Sequence, residues 1–336
     1  MLFRSNYEYA GDDDVKIIEE AADGYSRYTD CVNGYSLLFP ARMAIDVSLS
    51  SVRTVFADEN TRIEVYYDNF RGTPATAQEY IQYGNSQVLA APAHTIHTDT
   101  WFAVNGYSAH LLEWTRRPLA RLPGDKNHYA CAEIIKNNKE VYTVFIKSSQ
   151  PPLEAMTIIN SLGILEKRGI ARNSRTFTPS ATPMNAETTA FFHKHFAGDS
   201  QLAWGIFEPS APNTLRYLNE LESALGFNFS LLLHYQMFDE YFPLVGLQNA
   251  YEDKKYVELT LQTVYSGEAN ALWAGTNRNA TMVYDILDGK YDAFFEEYAR
   301  HLKDFGHPVI FRLNNEMNGD WCWYSAYYTG KDTELY

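Results

Sequence analysis

The stretch PVIFRLNNEMNGDWCWY, residues 308–324, begins like a buried β-strand and continues as a polar segment rich in tryptophan. Residues 308–313 are apolar except for one arginine, which is typical of a strand covered on both faces. The residues that follow include Asn315 and Glu316, which a hydrophobic core does not need. In parallel α/β folds, ligands bind where the strands end at their carboxyl side. The stretch therefore predicts a parallel sheet with a functional site at the end of one strand.

The chain beyond residue 201 alternates strand-like and helix-like segments. The strand-like segments are LAWGIF (202–207), FSLLLH (229–234), YVELTLQTV (256–264) and PVIFRL (308–313). Amphipathic helical patterns lie between them, and the clearest is YDAFFEEYARHLKDFG at 291–306. This alternation predicts parallel strand pairing. Glu208 and His234 then fall at strand ends, where each is either a substrate contact or a hydrogen-bonded residue at the rim.

Residues 24–165 have the pattern of an antiparallel sheet. Asn105-Gly106 separates two β-rich runs, which is the strongest short signal for a hairpin. A helical pattern follows at 153–165, so we predict an α+β domain. The segment GYSLLFPARMAIDVS within it resembles the small PsbP-like α/β domains. Residues 166–185 are rich in Arg, Ser, Thr and Pro without a hydrophobic period, and this composition predicts a linker.

The neighbourhood of Glu316 favours carbohydrate chemistry. Trp321 and Trp323 follow it, and flat aromatic rings stack on sugar rings, whereas amides such as that of Asn315 hydrogen-bond hydroxyl groups. A glutamic acid that aromatic rings partly shield from water is suited to donate a proton near neutral pH. Glycoside cleavage uses a pair of carboxyl groups. The alternative interpretation is an ordinary solvated glutamate in a loop.

Residues 284–324, YDILDGKYDAFFEEYARHLKDFGHPVIFRLNNEMNGDWCWY, resemble glycoside hydrolase family 26, the β-mannanase family of the (β/α)8 clan. The segments GKYD, FGHPV, FR and NEMNGDW carry the resemblance, and a weaker similarity extends over residues 201–331. The resemblance implies that Glu316 is the general acid/base of a retaining mechanism. It also implies that Trp321 lines the sugar site and that Arg312 orients neighbouring carboxylates.

Asn315 differs from the histidine that usually precedes this glutamate in the family. In the wider clan an asparagine at this position bonds the sugar 2-hydroxyl, which is axial in mannose and equatorial in glucose. The resemblance therefore implies an endo-acting enzyme, and it leaves β-mannan and a related β-linked polysaccharide such as a β-glucan both open as substrate.

The predicted chain has three parts, of which only the last is implied by the resemblance to family 26. They are an α+β N-terminal domain at 24–165, the linker at 166–185 and the first half of a (β/α)8 TIM barrel at 186–336. In the family the nucleophile follows the seventh barrel strand, whereas Tyr336 comes soon after the fourth predicted strand. We therefore expect a chain truncated after the fourth barrel strand, with the nucleophile outside it, and we expect these 336 residues by themselves to be inactive.

Composition argues against several classes of partner. The net charge of -14 disfavours a nucleic acid and an anionic lipid surface. No apolar run reaches about 18 residues, so no membrane-spanning helix is predicted. His193 and His195 lack a third ligand at a suitable spacing, so we predict neither a metal nor another cofactor. The 3 cysteines are predicted to be free thiols.

The predicted partner is a polysaccharide, which implies a protein outside the cell or at its surface. The first residues contain no signal peptide. Residues 2–5 (LFRS) are what a common sequencing-adaptor end encodes, so we expect the natural start to lie upstream. Trp273 either stacks on a sugar or packs in the core. Two other classes of function remain open, namely a non-catalytic glycan-binding protein and a protein that processes a bacterial exopolysaccharide.

Overall fold

A computed structural model describes residues 16–178, 183–198, 202–268 and 277–336. The chain divides into two compact units, Met1–Thr178 and Pro179–Tyr336. We call them unit 1 and unit 2 and describe each by itself.

Unit 1 consists of antiparallel sheets with two helices among its described residues. Its elements in chain order are β1 (Lys16–Glu20), β2 (Tyr25–Asp30), β3 (Tyr35–Pro40), β4 (Ala44–Asp46), β5 (Arg53–Ala57), β6 (Thr61–Asn69), α1 (Ala77–Ala90), β7 (His94–Val104), β8 (Tyr107–Arg116), β9 (His128–Asn137), β10 (Glu140–Ser148), α2 (Ala155–Asn160) and β11 (Gly163–Ile164). The strands form a four-stranded sheet in the order β1-β2-β3-β11 and a seven-stranded sheet in the order β4-β5-β6-β10-β9-β8-β7.

Local sequence explains the turns and ends of unit 1. Asn105 and Gly106 have φ angles of 49° and 87°, as a tight turn of the mirror-image type requires between β7 and β8. Helix α1 begins with a capping box in which Thr76 and Glu79 each bond the other's backbone N–H. The core of the unit includes Tyr28 and Phe56, both fully buried.

The predicted linker is partly attached to unit 1. Asn173 forms an isolated bridge with Leu49, and the backbone N–H of Ser174 donates to Ser48. The boundary between the two units falls at Thr178 and Pro179.

Unit 2 contains a parallel sheet with helices. Its elements in chain order are α3 (Ala186–Phe196), β12 (Gly205–Phe207), α4 (Arg216–Leu225), β13 (Leu231–Gln236), α5 (Leu244–Glu252), β14 (Tyr256–Leu261), α6 (Met282–Leu287), α7 (Asp292–Phe305) and β15 (Ile310–Leu313), with short 3-10 turns at Ser266–Glu268 and Arg278–Thr281. The strands lie in the order β12-β13-β14-β15, and every pair is parallel.

One face of this sheet is covered by helices. Leu218 of α4, Leu247 of α5 and Phe305 of α7 pack in one cluster with Leu232 and Leu259 of the strands. The opposite face carries both polar and apolar side chains, since strand residues alternate in direction. Tyr235, Thr260 and Arg312 lie in one row across β13, β14 and β15 on this second face.

The prediction of half a (β/α)8 barrel at 186–336 is wrong. The largest sheet among the described residues is the antiparallel one with seven strands, whereas the parallel strands are three to six residues long and form an open four-stranded sheet. No half barrel is present in the described part of unit 2. Alternating strands and helices determine parallel pairing, but barrel closure also requires that strand number, tilt and stagger agree around a complete ring. The local pattern of residues does not contain that information.

Candidate functional site

The site candidate is the loop that follows β15. Asn314 and Glu316 both have left-handed backbone conformations, with φ angles of 58° and 48°. This conformation costs roughly 1–2 kcal/mol for a residue with a side chain, and asparagine tolerates it best. The buried side chain of Asn314 compensates through Oδ1, which accepts from the backbone N–H of Thr263 at 2.9 Å and lies 3.1 Å from its hydroxyl. The loop is therefore fastened to the end of β14.

Asn315 is held by side chains from two directions. Gln262, just after β14, donates through Nε2 to Asn315 Oδ1 at 2.9 Å. The hydroxyl of Tyr324 lies 3.0 Å from the same Oδ1 and 2.8 Å from the Asn315 carbonyl oxygen. Burial raises the pKa of Tyr324, so this hydroxyl keeps its proton at neutral pH. Oδ1 is thus occupied as an acceptor, and the part of the Asn315 amide left for a ligand is the donor Nδ2.

Glu316 makes one side-chain hydrogen bond in the described structure. The indole Nε1 of Trp321 donates to its Oε2 at 2.9 Å. Both side chains are exposed, and Trp321 is 63% accessible. Gly319 lies directly against the indole, because an added Cβ would come within 2.5 Å of Trp321 Cε2. The ring is therefore positioned by close approach to the backbone.

Arg312 does not bond Glu316. Its Nε lies 3.1 Å from Glu258 Oε1 and donates to the Thr260 hydroxyl at 2.9 Å. Its Nη2 lies 3.4 Å from the Tyr235 hydroxyl. The carboxylate that Arg312 contacts is thus the one on β14.

Trp323 lies in the interior, with 4% of its surface accessible. Its ring is 4.6 Å from that of Tyr328, and its indole nitrogen is buried without a hydrogen-bond partner. Cys322 is buried next to it, and burial raises the pKa of its thiol, with Glu316 and Asp320 adding to the effect. These residues form a packed base beneath the loop.

Glu208 directly follows β12, as expected, whereas His234 lies inside β13, two residues before the strand ends at Gln236. His234 borders a cavity of about 690 Å³ together with Tyr235 and Asp239. Its Nδ1 lies 3.1 Å from the Ala211 carbonyl oxygen, and burial lowers the pKa of its imidazole. Glu208 accepts from the hydroxyl of Ser210 at 2.5 Å in a local turn. Neither side chain contacts Glu316.

The structure also bears on the remaining candidates. His193 and His195 both lie on α3, and no group of His, Cys, Asp and Glu within the described ranges is arranged to hold a metal ion. Trp273 lies outside the described residues. No helix in the described part of the chain is both long and apolar enough to span a membrane.

Sequence reasoning missed the residues that support the loop. Gln262, Thr263 and Tyr324 hold Asn314 and Asn315, yet none was a candidate. A signal existed for Gln262 and Thr263, because these polar residues directly follow β14 in the way that Asn314 and Asn315 follow β15. Nothing in the sequence pattern singled out Tyr324 among the 25 tyrosines.

Comparison with known proteins shows a family similarity in the C-terminal part of the chain. Residues 268–336 match the family model described as Glycosyl hydrolase family 26. The match supports a glycosidase family at a coarse level and covers only this C-terminal part. A search of curated proteins found no match.

Three solved structures with detectable similarity each cover less than half of the chain. Cyanobacterial PsbP (CyanoP) from Synechocystis sp. PCC 6803 is 15% identical, with a TM-score of 0.31 over 43% of this chain and 94% of its own. The Ran-binding protein Mog1p of Saccharomyces cerevisiae is 7% identical, with a TM-score of 0.27 over 40% and 91%. PA94 of Pseudomonas aeruginosa, a protein of unknown function and putative regulator, is 11% identical, with a TM-score of 0.23 over 42% and 89%. Likenesses of this strength carry no argument about the fold or function of this chain.

Proposed function

We propose that the loop after β15 carries the general acid/base of a retaining glycoside hydrolase that cleaves β-mannan or a related β-linked polysaccharide internally. The observation that carries the proposal is the 2.9 Å hydrogen bond from Trp321 Nε1 to Glu316 Oε2 on a loop that follows a parallel strand. The family match to residues 268–336 supports the same chemistry at a coarse level.

The role of Glu316 follows from this bond. Trp321 holds one carboxyl oxygen, so the other is free to carry the proton that the leaving sugar oxygen takes up as the glycosidic C–O bond breaks. In the second step the same carboxylate removes a proton from water. The nucleophile that forms the glycosyl intermediate is a second carboxylate, and we assign no residue of this chain to it.

Substrate binding is proposed for the groups around this carboxyl. The exposed indole of Trp321 offers a flat apolar surface to a sugar ring. Asn315 offers its Nδ2 to a sugar hydroxyl, because its Oδ1 is already occupied. His234 and Glu208 are proposed contacts further along the edge of the sheet, where the His234 cavity lies.

Arg312 and Trp323 act through other residues in this proposal. Arg312 holds the Glu258 carboxylate at 3.1 Å, next to the Tyr235 ring. The buried Trp323 supports the loop from below, because its ring packs on Tyr328. Both residues therefore position the groups that face the substrate.

A second candidate function is glycan binding without cleavage. The exposure of Glu316 and of the Trp321 ring favours it, because a planar ring beside a hydrogen-bonding group offers a sugar two kinds of contact and needs no second carboxylate. The two candidates differ in what the loss of the Glu316 acid should do.

The test compares Glu316→Gln with the exposed control Glu296→Gln in the complete gene product. We expect Glu316→Gln to lower turnover on polymeric β-mannan by about 10²–10⁴-fold, because proton transfer to the leaving oxygen is lost. An activated aryl glycoside needs little protonation and should lose less in the step that forms the intermediate. Affinity electrophoresis on mannan should change by less than about threefold, since the amide still accepts from Trp321.

Each outcome assigns the function. Full turnover of both substrates in Glu316→Gln would remove Glu316 from catalysis. Polysaccharide binding without turnover in the unmodified protein, abolished by Trp321→Ala, would establish the glycan-binding alternative instead.

A further inference from the structure

Glu140 of unit 1 is a buried carboxylate with five side-chain partners. It begins β10, and its side chain is 4% accessible. The Tyr67 hydroxyl of β6 and the Asn137 amide of β9 both donate to it. These two donors are neutral, and they already satisfy much of the hydrogen-bonding capacity of the Glu140 carboxylate.

Three cations nevertheless converge on the same carboxylate. Arg71 Nη2 lies 2.9 Å from Oε2, Lys136 Nζ 3.3 Å from Oε1 and Lys167 Nζ 3.7 Å from Oε1. One carboxylate neutralises only one of these charges, so a surplus of two positive charges remains. This surplus is unusual for a chain whose net charge is -14.

The position of Lys167 is built into the fold. Leu165 donates its backbone N–H to the Gly34 carbonyl oxygen at 2.8 Å, and Arg168 donates to that of Cys31 at 2.7 Å. Gly34 has a φ of 76°, and a Cβ there would lie 2.7 Å from Lys167 Cγ. The chain can therefore bring Lys167 to Glu140 only because residue 34 has no side chain.

The cluster is open to solvent on one side. The side chains of Arg71, Lys136 and Lys167 are 68%, 26% and 29% accessible. The Lys167 ammonium also lies 2.8 Å from the centre of the Tyr67 ring. Burial and repulsion from Lys136 lower the pKa of Lys167 to about 8, and Glu140 only partly opposes them.

We propose that Arg71, Lys136 and Lys167 form a binding site for a tetrahedral dianion, which is a sulfate or a phosphate group. A dianion matches the surplus of two charges. Because both ammonium groups lie within 3.7 Å of the same Glu140 oxygen, one small anion on the solvent side reaches both of them. Arg71 presents further N–H donors in the fork geometry that suits such oxyanions.

Sulfate is the probe that tests the site, because its charge is constant between pH 6 and pH 10. The full chain is titrated with sodium sulfate at constant ionic strength, and binding is followed in amide NMR spectra. At pH 7 we expect saturable shifts at Gly34 and in the first residues of β10. We expect Lys136→Gln to weaken binding by about fivefold, since one of the three cations is lost. Lys126→Gln is the matched control, because Lys126 is a partly exposed lysine bonded to the Gly124 carbonyl oxygen.

The pH dependence of sulfate affinity shows whether Lys167 binds the anion or only supports the structure of the site. Lys167 loses its proton as the pH rises through about 8, so sulfate affinity in the unmodified chain should fall between pH 7 and pH 9. Arginine stays charged in this range, so Lys167→Arg should keep its affinity. The groups that face Lys167 and influence this titration are Lys136, Glu140, Arg71 and Tyr67.

Two results would overturn the proposal. One is the absence of saturable sulfate shifts at matched ionic strength. The other is equal sulfate affinity in Lys136→Gln and Lys126→Gln. A parallel titration with a hexose 6-phosphate identifies the source of the anion, since tighter binding than inorganic phosphate would point to a phosphorylated sugar and equal binding to the free anion.

Discussion

Gly319 provides the sharpest test of the contact between Trp321 and Glu316. A Cβ at position 319 would lie 2.5 Å from Trp321 Cε2 and 2.6 Å from Cζ2, which is closer than such atoms approach in proteins. The backbone of Gly319 is not left-handed, and the three atoms nearest to an added Cβ all belong to the indole ring, so the main conflict for alanine is with Trp321. Because Trp321 is 63% accessible, we expect Gly319→Ala to turn the ring out into solvent without unfolding the unit.

The size of the effect follows from the bond that is broken. A hydrogen bond to a charged group contributes roughly 1.5–3 kcal/mol when it is buried, and exposure reduces it to about 1 kcal/mol. If the bond orients the acid in the transition state, its loss lowers kcat/KM by about fivefold. The free energy of unfolding should change by less than about 1 kcal/mol, since no core contact is lost.

The assay measures kcat/KM on polymeric β-mannan for the complete gene product and for Gly319→Ala. Gly267→Ala is the control, because a Cβ at Gly267 would meet no atom within 4 Å. Thermal unfolding of both variants establishes that the fold is retained. Equal kcat/KM in the two variants would refute the idea that Trp321 orients the Glu316 carboxyl.

Two further predictions concern stability. Asn314→Ala should lower the free energy of unfolding of unit 2 by about 2–4 kcal/mol, because it loses the bonds from Thr263 and places alanine at a φ of 58°. Asn314→Gly loses the same hydrogen bonds without backbone strain, so it should be more stable than Asn314→Ala. Denaturant titration measures both, and equal free energies of unfolding would contradict the contribution of strain. Burial lowers the pKa of His234, so the unfolded chain binds its proton more readily, and this residue should destabilise the fold as the pH falls below about 6.5. Between pH 7.5 and pH 5, Tm should therefore fall less in His234→Asn than in the unmodified chain. The control His193→Ala, at an exposed histidine, should lose as much Tm as the unmodified chain. The same dependence of Tm on pH in both variants would contradict the prediction for His234.

The turns and helix ends of this protein were accessible from the sequence, although not all were recognised. Asn105-Gly106 was identified as a hairpin because the dipeptide itself favours the left-handed conformation that the turn requires. Helix α1 was missed although Thr76 and Glu79 form a readable capping box. The reason is that Asn85 and Gln87 are buried on the same helix, so polar residues interrupt the apolar stripe that marks a helix.

The architecture of unit 2 was less accessible. Apolar strands between helices predicted parallel pairing, and β12 to β15 pair in this way. The closed-ring geometry came from the resemblance and not from the residues, and it is absent from the described structure. Closure is a property of the complete set of strands, so no single strand pattern encodes it.

The candidate loop shows the same division between local and long-range information. The closeness of Glu316 and Trp321 was expected, since five residues in one loop cannot separate them far. The burial of Trp323 was not expected, because it depends on Tyr328 and on the packing of the segment that follows. Sequence spacing therefore placed Trp321 beside Glu316 but did not distinguish an exposed tryptophan from a buried one.

The contrast between Asn315 and Glu316 agrees with different tasks for the two side chains. Asn315 accepts from Gln262 and contacts Tyr324 at its side-chain and backbone oxygens, so its amide is held in one orientation with Nδ2 left to donate. Such a fixed donor selects a hydroxyl by its position, because the amide does not rotate to follow the ligand. Glu316 has one bond, from Trp321, which leaves its other carboxyl oxygen open to exchange a proton with substrate in the proposed role of general acid. The left-handed backbone at Asn314 and Glu316 turns the chain sharply on either side of Asn315. One short loop therefore carries the fixed amide donor of Asn315 next to the accessible carboxyl of Glu316.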